Sequence, residues 1–210
     1  MGVYKLSSAG GLATPRTNYS SFLAGNPAIE YGSYYQIATV TLSSAASSVE
    51  FTSIPNTYKH LQVRWTARGS YNSANNIINL HGQFNGDSGG NYNWHYIQTD
   101  GGTLSAGSAT GAMVSNLISY LPAKLYAAGM MGAGVVDILD YTNTNKYKTI
   151  RSIGGCDTNN TGSEKGQLAF TSGTWRSFNA ITSIKFACAS DLTSGLEPYT
   201  EFALYGIKDS

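Results

Sequence analysis

Short strand-like segments, separated by turn-forming residues, run through most of this chain and limit the folds that it can adopt. In the clearest segment, Leu61, Val63 and Trp65 alternate with polar residues. Successive side chains of a strand point to opposite faces, so we expect these three to be buried together. Arg64 and Arg68 belong to the opposite face and are expected to be exposed.

The sequence contains ten segments of this kind. Each is β-branched, aromatic or alternating, and each is bounded by Gly, Asn, Ser or Pro. The helical candidate 114–126 is interrupted by Pro122, which a helix interior does not tolerate. The ten segments are 36–42, 49–51, 60–68, 76–84, 92–98, 135–141, 146–153, 167–171, 181–188 and 200–207.

The number and spacing of these segments predict an all-β fold, a two-sheet antiparallel sandwich over 34–210. A jelly roll is the leading form, because a C-terminal strand that ends almost at the last residue can lie between other strands and hide a sheet edge. An immunoglobulin-like sandwich is the alternative, although this chain is long for one.

The first 33 residues differ from the rest, since neither a strand period nor a helix period persists there. They nevertheless carry apolar side chains at intervals, and isolated apolar anchors suit a segment that lies across the surface of a partner. We therefore expect an extended N-terminal arm over 1–33, and the alternative is an ordinary leader that packs on its own domain. The expected partner-binding residues are Leu12, Tyr19, Phe22, Leu23 and Ile29.

Charged residues are scarce. Lys, Arg, Asp and Glu make up 12% of the 210 residues, and the formal net charge is +1. This balance argues against a nucleic-acid partner, which requires a basic face, and against electrostatic binding to a membrane. The N-terminus has no secretory-signal pattern, and no apolar run approaches the ~20 residues of a spanning helix. Cys156 and Cys188 are therefore expected to stay unbridged, with Cys188 as a small buried apolar residue.

Candidates for catalysis or metal binding are few. His81 and His95 are equally distant from Ser88, so a hairpin centred there would bring the two imidazoles together. No acidic residue or cysteine completes a metal site, and two polar cross-strand neighbours are the plainer interpretation. Asp137 and Asp140 are three positions apart on a strand and point to opposite faces, so we expect Asp140 to open a turn. The sequence predicts no catalytic residue, no metal and no cofactor.

Tyr92, Trp94 and Tyr96 project from one face of one strand segment. Aromatic rings in such a row stack on sugars or fill protein interfaces, and they also fill the cores of sandwiches. His95 and Ile97 share the opposite face, so the pattern leaves open which side is wet. The three rings are weak candidates for a ligand-binding surface, and core packing is the alternative.

Four longer motifs stand out in the sequence: 51–64 (FTSIPNTYKHLQVR), 84–92 (FNGDSGGNY), 136–151 (VDILDYTNTNKYKTIR) and 203–208 (ALYGIK). Together, and in this order over 34–208, they resemble structural proteins of tailed bacteriophages, especially those of marine and cyanobacterial phages. The resemblance implies a protein of the virion that is assembled in the host cytoplasm. It provides no catalytic residue to carry over.

The leading hypothesis from this resemblance is a capsid decoration, or cement, protein. Its arm would lie across the major capsid protein or other virion proteins while the sandwich projects outward, and it would act as a homotrimer or another homo-oligomer. The alternative is a tail, baseplate or fibre component with a receptor- or glycan-binding sandwich. A carbohydrate-active enzyme is a third hypothesis, weakened by the lack of a carboxylate pair.

Overall fold

The computed structural model describes residues 33–71, 77–158, 166–189 and 191–208. Within these ranges the chain forms twelve strands and no helix, which confirms the predicted all-β class. The same residues accordingly include no helix that could cross a membrane. The five predicted arm residues lie outside the described ranges. The strands are β1 (Tyr34–Thr41), β2 (Val49–Phe51), β3 (His60–Ala67), β4 (Ile77–Phe84), β5 (Tyr92–Thr99), β6 (Leu104–Met113), β7 (Asn116–Pro122), β8 (Gly132–Leu139), β9 (Lys148–Asp157), β10 (Gly166–Trp175), β11 (Ile184–Cys188) and β12 (Glu201–Ile207).

Two antiparallel sheets form a β-sandwich, as the sequence predicts. The larger sheet has eight strands in the order β1-β12-β3-β8-β9-β10-β5-β6, and the smaller has four in the order β2-β11-β4-β7. The last four strands of the larger sheet, β9-β10-β5-β6, are called the extension below. Three strands of the extension, β9, β10 and β5, pack against β7 of the smaller sheet.

The hydrophobic core lies between the two sheets. Phe186 of β11 stacks on Phe202 of β12 with ring centroids 4.8 Å apart, which brings the sheets into direct contact. Leu61, Val63 and Trp65 belong to the same core cluster, and their predicted burial is confirmed. The alternation along β3 therefore identifies its core face correctly.

The two arginines of this region behave differently. Arg64 is exposed, as predicted, and its guanidinium lies over the rings of Tyr34 and Tyr205. The expected exposure of Arg68 is wrong, because β3 ends one residue earlier and Arg68 falls outside its alternation. Its buried guanidinium donates to the backbone carbonyls of Lys124 (2.7 Å) and Tyr126. Carbonyl acceptors make a cation at this depth tolerable.

Two of the twelve strands, β6 and β7, are not among the ten predicted. β7 occupies the segment considered for a helix, and Pro122 is its last residue. Every residue of β7 is buried, because Ile118 and Leu121 belong to the main core cluster, whereas Leu117 and Tyr120 pack with Ala169 of the extension. A strand that is buried on both faces has no polar alternation by which it could be recognised.

Both cysteines are free thiols, as predicted. Cys188 is fully buried in the core, and burial raises its pKa to about 12. Cys156 on β9 is partly buried, and burial raises its pKa to about 11. Both thiols therefore stay protonated near neutral pH, and Cys188 packs as a small apolar residue.

Candidate functional site

An exposed apolar surface covers the side of the extension that faces away from β7. Five large apolar side chains there are half or more exposed, and they are called the outer apolar face. Monomeric proteins rarely expose contiguous apolar patches larger than a few hundred Å², and such patches usually mark contact sites. The five residues are Ile97 (55% exposed), Leu104 (75%), Ile153 (54%), Leu168 (55%) and Phe170 (50%).

The register of the strands places these side chains in two neighbouring rows. Residues paired across antiparallel strands have Cβ atoms ~5 Å apart, so each row is continuous. The two rows are one alternation step apart along the strands and point the same way. Across β6, β5, β10 and β9, the first row is Leu104, Thr99, Leu168 and Gly155, and the second row is Ala106, Ile97, Phe170 and Ile153.

A polar row borders the outer apolar face on one side. It consists of Ser108, His95, Ser172 and Arg151 across the same four strands. The Arg151 Nε donates to Asp137 Oδ2 of β8 at 3.1 Å, so the nearest positive charge is already paired. The apolar rows themselves contain no charged residue.

A depression of about 600 Å³ adjoins the first row, between the 99–101 turn and strands β8, β9 and β10. Glycines at 134, 154 and 155 form part of its lining. At Gly155 a Cβ atom would collide with the carbonyl group of Gln167, so this position requires glycine. Because Gly155 has no side chain, the outer surface at this position is lower than at Leu168, its neighbour in the same row.

On the inner side, His81 of β4 is fully buried near β5. Its Nδ1 lies 3.0 Å from Ser115 Oγ, and its ring meets Trp94 edge-on with centroids 6.4 Å apart. Burial lowers the pKa of His81 to about 4, a shift that the carboxylate of Asp191 partly opposes. The imidazole is therefore neutral near neutral pH and serves packing.

The possible pairing of His81 with His95 is wrong, and so is the plainer interpretation of two polar cross-strand neighbours. β4 and β5 belong to different sheets, so the chain around Ser88 crosses between the sheets and does not form a hairpin. His81 is buried, whereas His95 is exposed on the outer side of β5. Within the described ranges, no three His, Cys, Asp or Glu side chains lie close enough together to hold a metal ion.

Asp137 and Asp140 do not converge on one site, as predicted. Asp140 opens a turn, in which its carbonyl accepts from the Asn143 amide at 2.9 Å. Its carboxylate pairs with Lys146 and, at 3.1 Å, with Lys59. The hydrogen bond from Lys146 lowers the pKa of Asp140, and Lys59 lowers it further. These contacts fasten a turn at the surface.

Tyr92, Trp94 and Tyr96 all project from the inner face of β5. Tyr92 is fully buried, and its hydroxyl bonds both backbone groups of Phe84. Its ring stacks on Trp175 with an interplanar angle of 20°. Trp94 and Tyr96 are half-buried and pack on a small cluster around β7. This placement favours the core-packing alternative, and ligand binding by Trp94 and Tyr96 stays a prediction.

Sequence patterns alone do not reveal the outer apolar face. Its side chains come from four strands, and no strand contributes more than two. Ile97, opposite the row of rings on β5, is a signal in the sequence that an outer apolar surface exists. The exposure of Ile97 could not be predicted without knowing which face of β5 is buried.

Neither a protein-family model nor a curated protein sequence matches this chain. Its function is therefore inferred from the surfaces of the fold and from the resemblance of its motifs.

Proposed function

We propose that this protein is a non-enzymatic virion structural protein of a tailed bacteriophage, and specifically a capsid decoration protein. The observation that supports this class best is the outer apolar face, since a contiguous apolar patch on a folded domain suits a protein that works by contact with other proteins. The resemblance of four motifs to phage structural proteins supports the same class. In this role the protein resides in the virion and needs no cofactor.

We further infer that the sandwich is a jelly roll enlarged by two hairpins. Eight strands form four nested antiparallel pairs: β1 with β12, β2 with β11, β3 with β8, and β4 with β7. Nested pairs of this kind arise when one long hairpin folds over on itself, which is the arrangement of a jelly roll. The hairpins β5-β6 and β9-β10 are then insertions, and together they form the extension. Jelly rolls occur in viral capsid proteins and in lectins, so the fold is compatible with both functions considered.

The N-terminal arm is the proposed attachment device, and the major capsid protein is its proposed partner. The described domain begins at Ser33, beside β1, which is the sheet edge opposite β6. Attachment from that edge leaves the outer apolar face available for another contact. The proposed anchors are Leu12, Tyr19, Phe22, Leu23 and Ile29.

A single arm would bind weakly. Each anchor contributes roughly 1.5–3 kcal/mol when it is buried, whereas ordering the backbone costs about 1–2 kcal/mol per residue. Firm attachment therefore requires several arms that bind the lattice together. The proposal accordingly includes a homo-oligomer, such as a homotrimer.

A tail, baseplate or fibre component with a glycan-binding sandwich has less support. Tyr92 is buried, and Trp94 and Tyr96 lie half-buried on the inner face of β5. These rings do not form an open platform on which a sugar could stack.

The test compares the full chain with a chain that begins at Ser33, each added to phage particles that lack the protein. We expect the full chain to decorate the heads and the shortened chain to bind at least about tenfold more weakly, since it lacks all five anchors. Circular dichroism melting of both chains verifies that the sandwich is intact. Equal decoration by both chains would contradict the role of the arm, and binding confined to tails would favour the alternative.

A further inference from the structure

We propose that the outer apolar face is a self-association surface, and that its partner is the same face of a second copy of this chain. This inference rests on the proposed function in one respect, because it names the surface through which the proposed homo-oligomer would form. The surface itself is argued from the outer apolar face and needs neither the arm nor a capsid.

The outer apolar face is large enough for the apolar centre of such a contact. Its five half-exposed side chains, with the smaller residues between them, present several hundred Å² of apolar surface. A standard protein interface buries ~800 Å² on each partner and combines an apolar centre with a polar rim. The polar row through Ser108 and Arg151 provides such a rim along one side.

A two-fold axis parallel to the strands, between β5 and β10, relates the extension to itself. Rotation about this axis reverses the order of the four strands, so that β6 faces β9 of the second copy and β5 faces its β10. Positions along the strands do not shift, so each row faces the same row of the other copy. Two sheets packed in this way lie ~10 Å apart with their strands within about 30° of each other.

In the first row, this rotation places large side chains over small positions. Leu104 faces Gly155 of the second copy, which has no side chain. Leu168 faces Thr99 of the second copy. Because the interface is isologous, each of these contacts occurs twice.

The second row shows the same relation. Ile153 faces Ala106 of the second copy, so a protruding side chain again meets a small one. Phe170 faces Ile97, which adds an aromatic–aliphatic contact at the centre of the interface, beside the axis. Size complementarity in three of these four contacts favours a second copy as the partner over the N-terminal arm, whose sequence has no period that would match the rows.

The charged residues nearest to the two apolar rows lie at their borders: Arg151 is in the polar row, and Asp157 is one alternation step beyond Gly155 on β9. Both apolar rows are uncharged, so no charge within them loses water on contact. In the polar row, Arg151 faces Ser108 of the second copy and not its own equivalent. Its partner Asp137 lies on β8, outside the four facing strands, so the ion pair within each copy is kept.

Sedimentation equilibrium of the full chain tests the surface. We expect a species of twice 22.3 kDa that dissociates on dilution. Leu168→Glu places a charge in the first row and should weaken the dimer roughly 30-fold or more, as at a central interface residue. Leu125→Glu is the matched control, because Leu125 is 59% exposed but lies outside the extension, and it should leave the dimer unchanged. A chain that stays monomeric or forms a trimer, or equal weakening by both variants, would overturn the proposal.

A charge pair tests the two-fold geometry. Ile153 and Ala106 are three strands apart in one copy, roughly 14 Å, but they face each other across the axis. Ile153→Glu alone and Ala106→Lys alone should each weaken the dimer, whereas the double variant should bind at least about tenfold more tightly than either single variant. Circular dichroism of each variant checks that the exposed substitutions leave the fold intact. A double variant no tighter than the single ones would overturn the arrangement.

Discussion

His81 is a buried residue whose protonation limits the stability of the fold. Burial lowers its pKa from 6.5 to about 4 in the folded protein. Between these values the unfolded chain binds a proton that the folded chain does not bind. The free energy of unfolding should therefore have its full value above pH 6.5 and decrease by roughly 2–3 kcal/mol as the pH falls from 6.5 towards 4. Urea unfolding at pH 7 and at pH 4.5 measures the difference.

Two glutamine variants identify the source of this pH dependence. His81→Gln keeps a polar partner for Ser115, but the glutamine cannot be protonated. The loss of unfolding free energy between pH 7 and pH 4.5 should therefore disappear in this variant. His95→Gln changes an exposed imidazole and should preserve the loss. The pKa values of Asp87 and Asp140 are lowered from 3.8, so their contributions are lost at lower pH than this window. An unchanged loss in His81→Gln would contradict this assignment.

Lys148 is a buried cation held by backbone carbonyls. It is fully buried, and its Nζ donates to the carbonyls of Asn143 (2.6 Å), Lys146 (3.3 Å) and Ser177 (3.4 Å). Lys148→Met removes this donor from buried acceptors and should lower the free energy of unfolding by about 2–4 kcal/mol. Lys146→Met removes an exposed ion pair with Asp140 and should lower it by less than about 1 kcal/mol. Chemical unfolding at pH 7 compares the free energies of unfolding of the two variants. Equal losses of stability would show that the hydrogen bonds of Lys148 do not stabilise this turn more than the exposed ion pair does.

At the scale of elements, close packing at β9 depends on a glycine. A Cβ atom at Gly154 would lie 2.6 Å from the Trp65 ring, 2.9 Å from the Ala133 carbonyl and 3.0 Å from Ser119 Oγ. Gly154→Ala should therefore cost about 1–3 kcal/mol of stability, because backbone must shift to make room. Thr149→Ala, at an exposed position of the same strand, is the control and should cost less than about 1 kcal/mol. Urea titrations measure the free energy of unfolding of both variants. A Gly154→Ala variant as stable as the control would contradict the close packing.

Strand β3, which has one wet face, could be predicted from its alternation, whereas β6 and β7 could not be predicted. β3 shows its alternation because its outer face carries Arg64, whereas β7 is buried on both faces and shows none. β6 is missed because its Gly, Ala and Ser residues have little strand preference. The turn at Asn85-Gly86 is recognisable as a turn, but local chemistry does not say whether the next strand joins the same sheet or crosses to the other.

The outer apolar face could not be predicted from the sequence, because it depends on which strands pair with each other. Phe170 and Ile97 become neighbours only through the pairing of β10 with β5, which no local pattern specifies. The face of β5 that carries Ile97 could be identified as the outer one only after Tyr92 was placed in the core. Long-range register, and not residue type, creates the outer apolar face.

At the scale of the whole molecule, the fold separates two contacts. The proposed arm leaves from the β1 edge of the larger sheet, and the outer apolar face occupies the extension at the other end. Self-association through the outer apolar face would place at least two arms in one assembly. Weak individual arms then attach firmly, because the second arm binds at a high effective concentration once the first is bound.

Low-resolution imaging of phage particles with this protein labelled tests the central claim most directly. The capsid-decoration proposal predicts label over the head shell in many copies per particle, spaced with the lattice of the major capsid protein. Label restricted to the tail would replace the decoration role with the tail alternative. Particles that carry no label would contradict a virion structural function altogether.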